Sequence, residues 1–218
     1  MASVTASSAA HSLTEQLRRI GRGRPSVLVA HSMGGVVATA AAEQAPELVA
    51  TVIYIAAFVP VRGVPAASYF GLPENEGSTV THALVGDPVR RVGAFRYDTG
   101  NPASREVIRE TFYNDVEPAM ADAATALITP DAPAGIAGET ITVTPDRFGR
   151  VSHTYVVGTR DNAVRPALQR RAVAEIDAVS AHPTEVVELN ASHSPFLSMP
   201  DRLGEVIEVH RDAAIPAA

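Results

Sequence analysis

The chain has 218 residues, 46% of them hydrophobic, which is enough for one globular domain with a sizeable core. Its 18 basic and 24 acidic residues give a net charge of −6, the wrong balance for a nucleic-acid partner, whose phosphates call for a basic stripe. Cysteine and lysine are both absent, which excludes a disulfide framework, a thiol nucleophile, a Schiff-base lysine and a Walker-type phosphate loop.

No run approaches the roughly 20 apolar residues of a membrane span, so no membrane partner is expected. The amino terminus, MASVTASSAA, lacks the basic and apolar regions of a secretory signal, and a cytoplasmic location is the expectation. Leu13, Leu17 and Ile20 at helical spacing predict a helix over about Ser12 to Ile20, closed by Gly21 and Gly23. Pro25 to Ala30 then forms a short continuous apolar run, the pattern of a strand buried on both faces of a parallel sheet. After His31-Ser32-Met33-Gly34-Gly35, the Ala-rich stretch Val36 to Ala45 reads as a helix, and Thr51 to Ala57 as a second buried strand.

From about Pro60 to Arg150 the chain turns rich in Pro, Gly and Asp, with two candidate helices, Glu106 to Tyr113 and Pro118 to Leu127. Alternation then resumes: strand His153 to Gly158, helix near Pro166 to Val179, strand Glu185 to Leu189 and helix near Pro200 to His210. Ser198 and Asp201 have the spacing of a capping box for that last helix. Strands and helices alternating on either side of an irregular insert predict an α/β architecture, a mostly parallel sheet with helices on both faces. A single domain follows, with its core in 1–59 and 151–218 and a cap inserted at about 60–150.

Ala30-His31-Ser32-Met33-Gly34 fits the G-x-S-x-G nucleophile elbow, with alanine at the first position. The pattern is steric: a serine on a tight strand-to-helix turn needs small neighbours two positions away. Such a turn exposes the hydroxyl and directs the backbone N–H of the next residue, Met33, toward a developing oxyanion at the helix start. The alternative reading makes Ser32 a helix cap. A serine hydroxyl needs a base, and the base an orienting acid. In elbow-bearing folds these follow in the order Ser, Asp or Glu, His, after later strands. Asp161 follows the strand ending at Gly158, and His193 follows the strand ending at Leu189, so both positions fit. Asp131 and Asp146 fall in the irregular insert and Asp177 within a helix. His11, His82, His182 and His210 read as solvent-facing, while His153 opens a strand. No histidine pair has metal-ligand spacing, so neither a metal nor any other cofactor is expected.

The stretches VLVAHSMGG, IYIAAFVP, FYNDV, YVVGTRDNAV followed by Gln169, and NASHSPFLSMP resemble α/β-hydrolase-fold esterases related to plant methyl esterases and hydroxynitrile lyases. The resemblance runs from about Ser12 to the C-terminus. It implies the α/β-hydrolase fold, with Ser32 as nucleophile, Asp161 as orienting acid and His193 as base. His31, Phe58, Ser194 and Phe196 would line the substrate pocket. The lyase branch carries a lysine after the catalytic histidine; here Ser194 stands there, which favours the esterase branch. In this fold two strands and their helices precede the elbow, roughly 60 residues. Only 26 residues precede Val27. The first strands of the fold are therefore expected to be missing, with one oxyanion donor, and Val27 to Ala30 to lie at a sheet edge.

The leading expectation is a serine hydrolase that cleaves small carboxylic esters through an acyl-enzyme, with Tyr69, Phe70, Phe95, Tyr97, Phe112 and Tyr113 of the insert supplying an apolar pocket. The partner is then a small-molecule ester, with a homodimer covering the exposed edge strand. The alternatives are a catalytically weak or inactive small-ligand-binding relative, a truncated fragment, or a lyase on the same scaffold.

Overall fold

The computed structural model describes residues 3–86 and 94–210. Met1, Ala2, residues 87–93 of the expected insert and residues 211–218 lie outside the described residues. Helix α1 (Ala6–Gly21) starts six residues before the predicted boundary, because Thr5 and Ser8 form a capping box ahead of it. Its buried positions, Ala6, Ala10 and Leu17, pack with α2 (Gly34–Gln44), whose Val36, Ala38 and Ala40 to Ala42 share the same core. Between these helices runs β1 (Ser26–His31), and after them β2 (Val49–Ile55).

The described residues of 60–150 form short elements. These are β3 (Arg62–Pro65), β4 (Ala94–Arg96), α3 (Pro102–Phe112), α4 (Pro118–Leu127), β5 (Asp131–Pro133), α5 (Ala134–Gly138) and β6 (Thr140–Thr142). The strands β3 with β6 and β4 with β5 form two small antiparallel pairs. Then come β7 (Ser152–Gly158), α6 (Pro166–Asp177), β8 (Glu185–Leu189), α7 (Pro195–Ser198) and α8 (Pro200–Glu208). Among the described residues no helix is long and apolar enough to cross a membrane.

The central sheet has the order β1-β2-β7-β8, with every neighbouring pair parallel. Side chains of a strand alternate between faces. Val52 and Tyr54 of β2 and Tyr155 and Val157 of β7 accordingly join the core under α1, α2 and α6. Ile53, Ile55 and Val156 face the other way, against Leu189, Ala191 and Leu203 of α8. Burying two tyrosines at the sheet centre requires partners for their hydroxyls. Tyr54 shares a hydrogen bond with Thr39 at 3.0 Å, and the Tyr155 hydroxyl donates to the Ala57 carbonyl at 2.6 Å and accepts from the Ala57 N–H at 3.0 Å.

Within the described residues β1 is a rim strand, and Val29 on it is exposed. The expected capping box of the last helix does not form. Ser198 closes α7, Met199 takes the N-cap of α8 without a side-chain bond, and the Ser198 hydroxyl is buried without a partner. His210 is not solvent-facing: its Nε2 lies 3.1 Å from the Thr154 hydroxyl and 3.5 Å from a Glu185 carboxylate oxygen. Asp177 is the last residue of α6 and accepts from the Thr184 N–H at 2.7 Å.

Candidate active site

The carboxyl ends of β1, β7 and β8 carry the three candidate residues. At the end of β1 the chain turns straight into α2, and Ser32 takes φ 52°, a left-handed conformation that costs a non-glycine residue strain. Hydrogen bonds hold it there: the Ser32 N–H donates to the Ile55 carbonyl, and the Ser32 carbonyl accepts from the N–H groups of Gly35 and Phe58, all at 3.1 Å. Met33 is the N-cap of α2, so its N–H belongs to the helix start, where donors lack intrahelical acceptors.

Close approach of the turn to the end of β2 requires a glycine. A Cβ on Gly35 would lie 2.5 Å from the Phe58 carbonyl oxygen and 2.8 Å from the Ala57 Cβ, whereas one on Gly34 meets nothing within 4 Å. Gly35→Ala should therefore destabilise by about 1–3 kcal/mol, a melting-temperature loss of roughly 2–4 °C per kcal/mol. Gly34→Ala should melt like the parent. Thermal denaturation of the pair checks this, and equal melting temperatures would contradict the close contact.

After β7, a tight turn buries Asp161 completely. Its Oδ1 accepts from the N–H groups of Ala163 at 2.7 Å and Val164 at 2.9 Å, and its Oδ2 from Gln169 Nε2 at 3.2 Å. The fourth contact of the carboxylate is His193 Nδ1, 2.8 Å from Oδ2. Since the carboxylate accepts, the proton of the imidazole sits on Nδ1 and Nε2 keeps its lone pair. Gln169 had no role assigned from the sequence. It spans the acid loop: Oε1 accepts from the Gly158 N–H, and Nε2 reaches the Val164 carbonyl at 2.7 Å besides Asp161. Gly158 allows the acid and base loops to touch, since a Cβ there would lie 2.8 Å from the Ser192 carbonyl oxygen.

His193 is buried in the loop after β8. Its carbonyl lies 2.8 Å from His31 Nε2, and the two rings are 4.5 Å apart. Burial first, then the charge of His193, lowers the pKa of His31 to about 3. His31 is therefore neutral near pH 7 and donates Nε2–H to that carbonyl. It ties the elbow to the base loop, with the exposed Phe196 edge-on to its ring.

Beside Ser32 opens a cavity of about 200 Å³, walled almost wholly by apolar side chains. Met33, Val37 and Phe58 come from the elbow side, and Phe70, Phe95, Tyr97 and Phe112 from residues 60–150. Phe112 is shared between the parts, facing the cavity and standing 5.4 Å from the His193 ring. Of the pocket residues expected from the sequence, Phe58 lies on the cavity wall, whereas His31, Ser194 and Phe196 surround the His193 loop. Tyr69 is buried elsewhere, its hydroxyl donating to Glu175 at 2.6 Å. Asp161 and His193 are thus directly joined. Ser32 follows His31 in the chain and shares the cavity wall with Phe112, and the rings of both lie against that of His193; among the described residues no hydrogen bond links the Ser32 hydroxyl to His193. No cluster of three or more His, Cys, Asp or Glu side chains that could hold a metal occurs among the described residues.

The chain belongs to the alpha/beta hydrolase family, whose sequence model matches residues 2–206. Among curated relatives, it is 29% identical over 194 residues to a pyrethroid hydrolase of Sphingobium wenxiniae, covering 86% of this chain and 64% of that one. It is 31% identical over 185 residues to methylesterase 7 of Arabidopsis thaliana, covering 81% and 65%. The chain therefore spans slightly under two thirds of the length of these two relatives. A crystal structure of a pyrethroid hydrolase superposes with a TM-score of 0.79 at 25% identity, over 98% of this chain and 80% of that one.

Proposed function

We propose that the chain is a serine hydrolase of small carboxylic esters. The observation that carries the reading is that Ser32, in a left-handed turn, lines an apolar cavity together with Phe112, whose ring lies 5.4 Å from that of His193, itself hydrogen-bonded to Asp161. Relatives named as a pyrethroid hydrolase and a methylesterase support ester chemistry.

In this reading Ser32 Oγ attacks the ester carbonyl carbon while His193 Nε2 takes its proton. The carbonyl oxygen becomes an oxyanion and accepts from the Met33 N–H at the start of α2. His193 returns the proton to the departing alcohol, leaving an acyl group on Ser32. Water, deprotonated by His193, attacks the acyl carbon, and the acid leaves as Ser32 regains its proton. Asp161 keeps the imidazole in the Nδ1–H tautomer throughout. The scheme calls for no cofactor. A cavity of about 200 Å³ with aromatic walls suits a compact apolar acyl or alcohol group, bound by burial rather than by charge.

A serine-reactive fluorophosphonate tests the reading. One adduct per chain, located by mass spectrometry on Ser32 and absent from Ser32→Ala, is the expected result. Labelling that survives in Ser32→Ala, or an ester hydrolysis rate equal in both proteins, would remove Ser32 from the mechanism.

A further inference from the structure

The turn that follows α3 reaches both catalytic loops at once. Asn114 Nδ2 donates to the Arg160 carbonyl at 3.1 Å, one residue before Asp161. Asp115 Oδ2 accepts from the Ser192 N–H at 2.9 Å, one residue before His193. The grip is returned by Ser192, whose hydroxyl donates to the Phe112 carbonyl at 3.3 Å and accepts from the Ser194 N–H at the same distance. A single turn of the 60–150 segment therefore fixes the residue preceding the acid and the residue preceding the base.

Asp115 is an unusual choice for a purely structural contact. A carboxylate hydrogen bond to a backbone N–H is shorter and stronger than a neutral one. Yet the second oxygen of Asp115, Oδ1, is buried with no partner, and burying it carries a desolvation cost. What this arrangement supplies is a stiff constraint on the backbone beside His193. The position of the imidazole relative to a nucleophile matters far more than it does for folding, since an error of about 1 Å can cost on the order of 10²-fold in rate.

We propose that Asp115 is a positioning residue of the active site, acting through the Ser192 N–H to set the place of the His193 ring. The inference rests on the reading of His193 as the base. Asp115→Ala should lower kcat by about 10-fold to 100-fold while KM stays within about twofold, because the apolar cavity is untouched. Asp115→Asn should recover most of the lost kcat, since its amide oxygen can accept the same N–H.

A second readout needs no substrate. The proton on His193 Nδ1, held against Asp161, should give a downfield NMR signal that shifts or broadens in Asp115→Ala and persists in Asp115→Asn. A wild-type protein that hydrolyses no ester would defeat the proposed function, and this signal would still judge the strap. A kcat in Asp115→Ala within twofold of the parent, an unmoved Nδ1 signal, or an Asp115→Asn as impaired as the alanine variant would each overturn the proposal. If Asp115→Ala does not fold, Asp115→Glu takes its place: it keeps the charge and displaces the acceptor by a methylene. The expected loss of kcat is the same, and parental kcat in Asp115→Glu would overturn the strap.

Discussion

Asp161→Asn should cut kcat on an activated short-chain ester by about 10⁴-fold at neutral pH while leaving the fold intact. The Oδ1 bonds to Ala163 and Val164 can persist, since an amide oxygen accepts as a carboxylate does. At the other terminus an NH₂ group would face two donors, Gln169 Nε2 and His193 Nδ1–H. The imidazole relieves this clash by moving its proton to Nε2, the nitrogen that must be free to deprotonate Ser32. The substitution therefore exchanges a base for an acid at the reacting atom, which a modest change in stability could not do. Steady-state kinetics and far-UV circular dichroism on the same preparation check this result. A kcat within tenfold of the parent would remove Asp161 from the mechanism.

Acid should weaken the fold from about pH 6.5 downward, before most carboxylates titrate, through two histidines that are neutral when folded. His153 lies between Phe148, 4.4 Å away, and Tyr54, 6.1 Å away, with Nδ1 3.3 Å from the Ser180 hydroxyl and Nε2 buried without a partner. Burial lowers its pKa to about 4, opposed in part by the charge of Asp177, and His31 falls to about 3. Both lie below the ordinary 6.5, so the unfolded chain takes up protons that the folded chain refuses. The stability these groups provide is complete above pH 6.5 and declines as pH falls from there through 4 toward 3. By pH 4.5 the two together cost about 5 kcal/mol, a large part of the stability of an ordinary domain. His153→Phe keeps the aromatic stack and removes the proton site, so it should erase roughly half of that slope. Urea denaturation at pH 7.5 and pH 4.5 measures it, and parallel losses in parent and variant would exclude His153 as a source.

The legible parts of this molecule were those written in short-range patterns. Continuous apolar runs located β1 and β2 to within two residues; β2 is covered on both faces as its run implies, whereas β1 keeps Val29 exposed on one face. The helix from Pro118 to Leu127 and the strand from Glu185 to Leu189 were read at their observed bounds, each framed by punctuating residues. Ser32, Asp161 and His193 stand out in the sequence as candidates because each follows a readable strand. What sequence could not convey was pairing at a distance. Gln169, Asn114 and Asp115 fall within or beside stretches that carry the family resemblance, but nothing local names their partners, which lie 5 to 77 positions away. His210 reads as solvent-facing, yet it meets Thr154 across 56 positions. The Ser198 and Asp201 pattern misled because Pro200 begins the helix directly after Met199, so the hydroxyl belongs to the preceding turn.

The conformation of Ser32 sets durability against reactivity at one position. A left-handed backbone costs about 1–3 kcal/mol for any residue with a Cβ and nothing for glycine. The chain would thus be sturdier with glycine at position 32, and selection on heat resistance alone would favour an inert protein. Ala56, at φ 45° on the neighbouring strand's end, bears the same kind of penalty without contributing a reactive atom. Glycine there would relieve that strain without touching the reacting atoms, against the loss of a fully buried methyl.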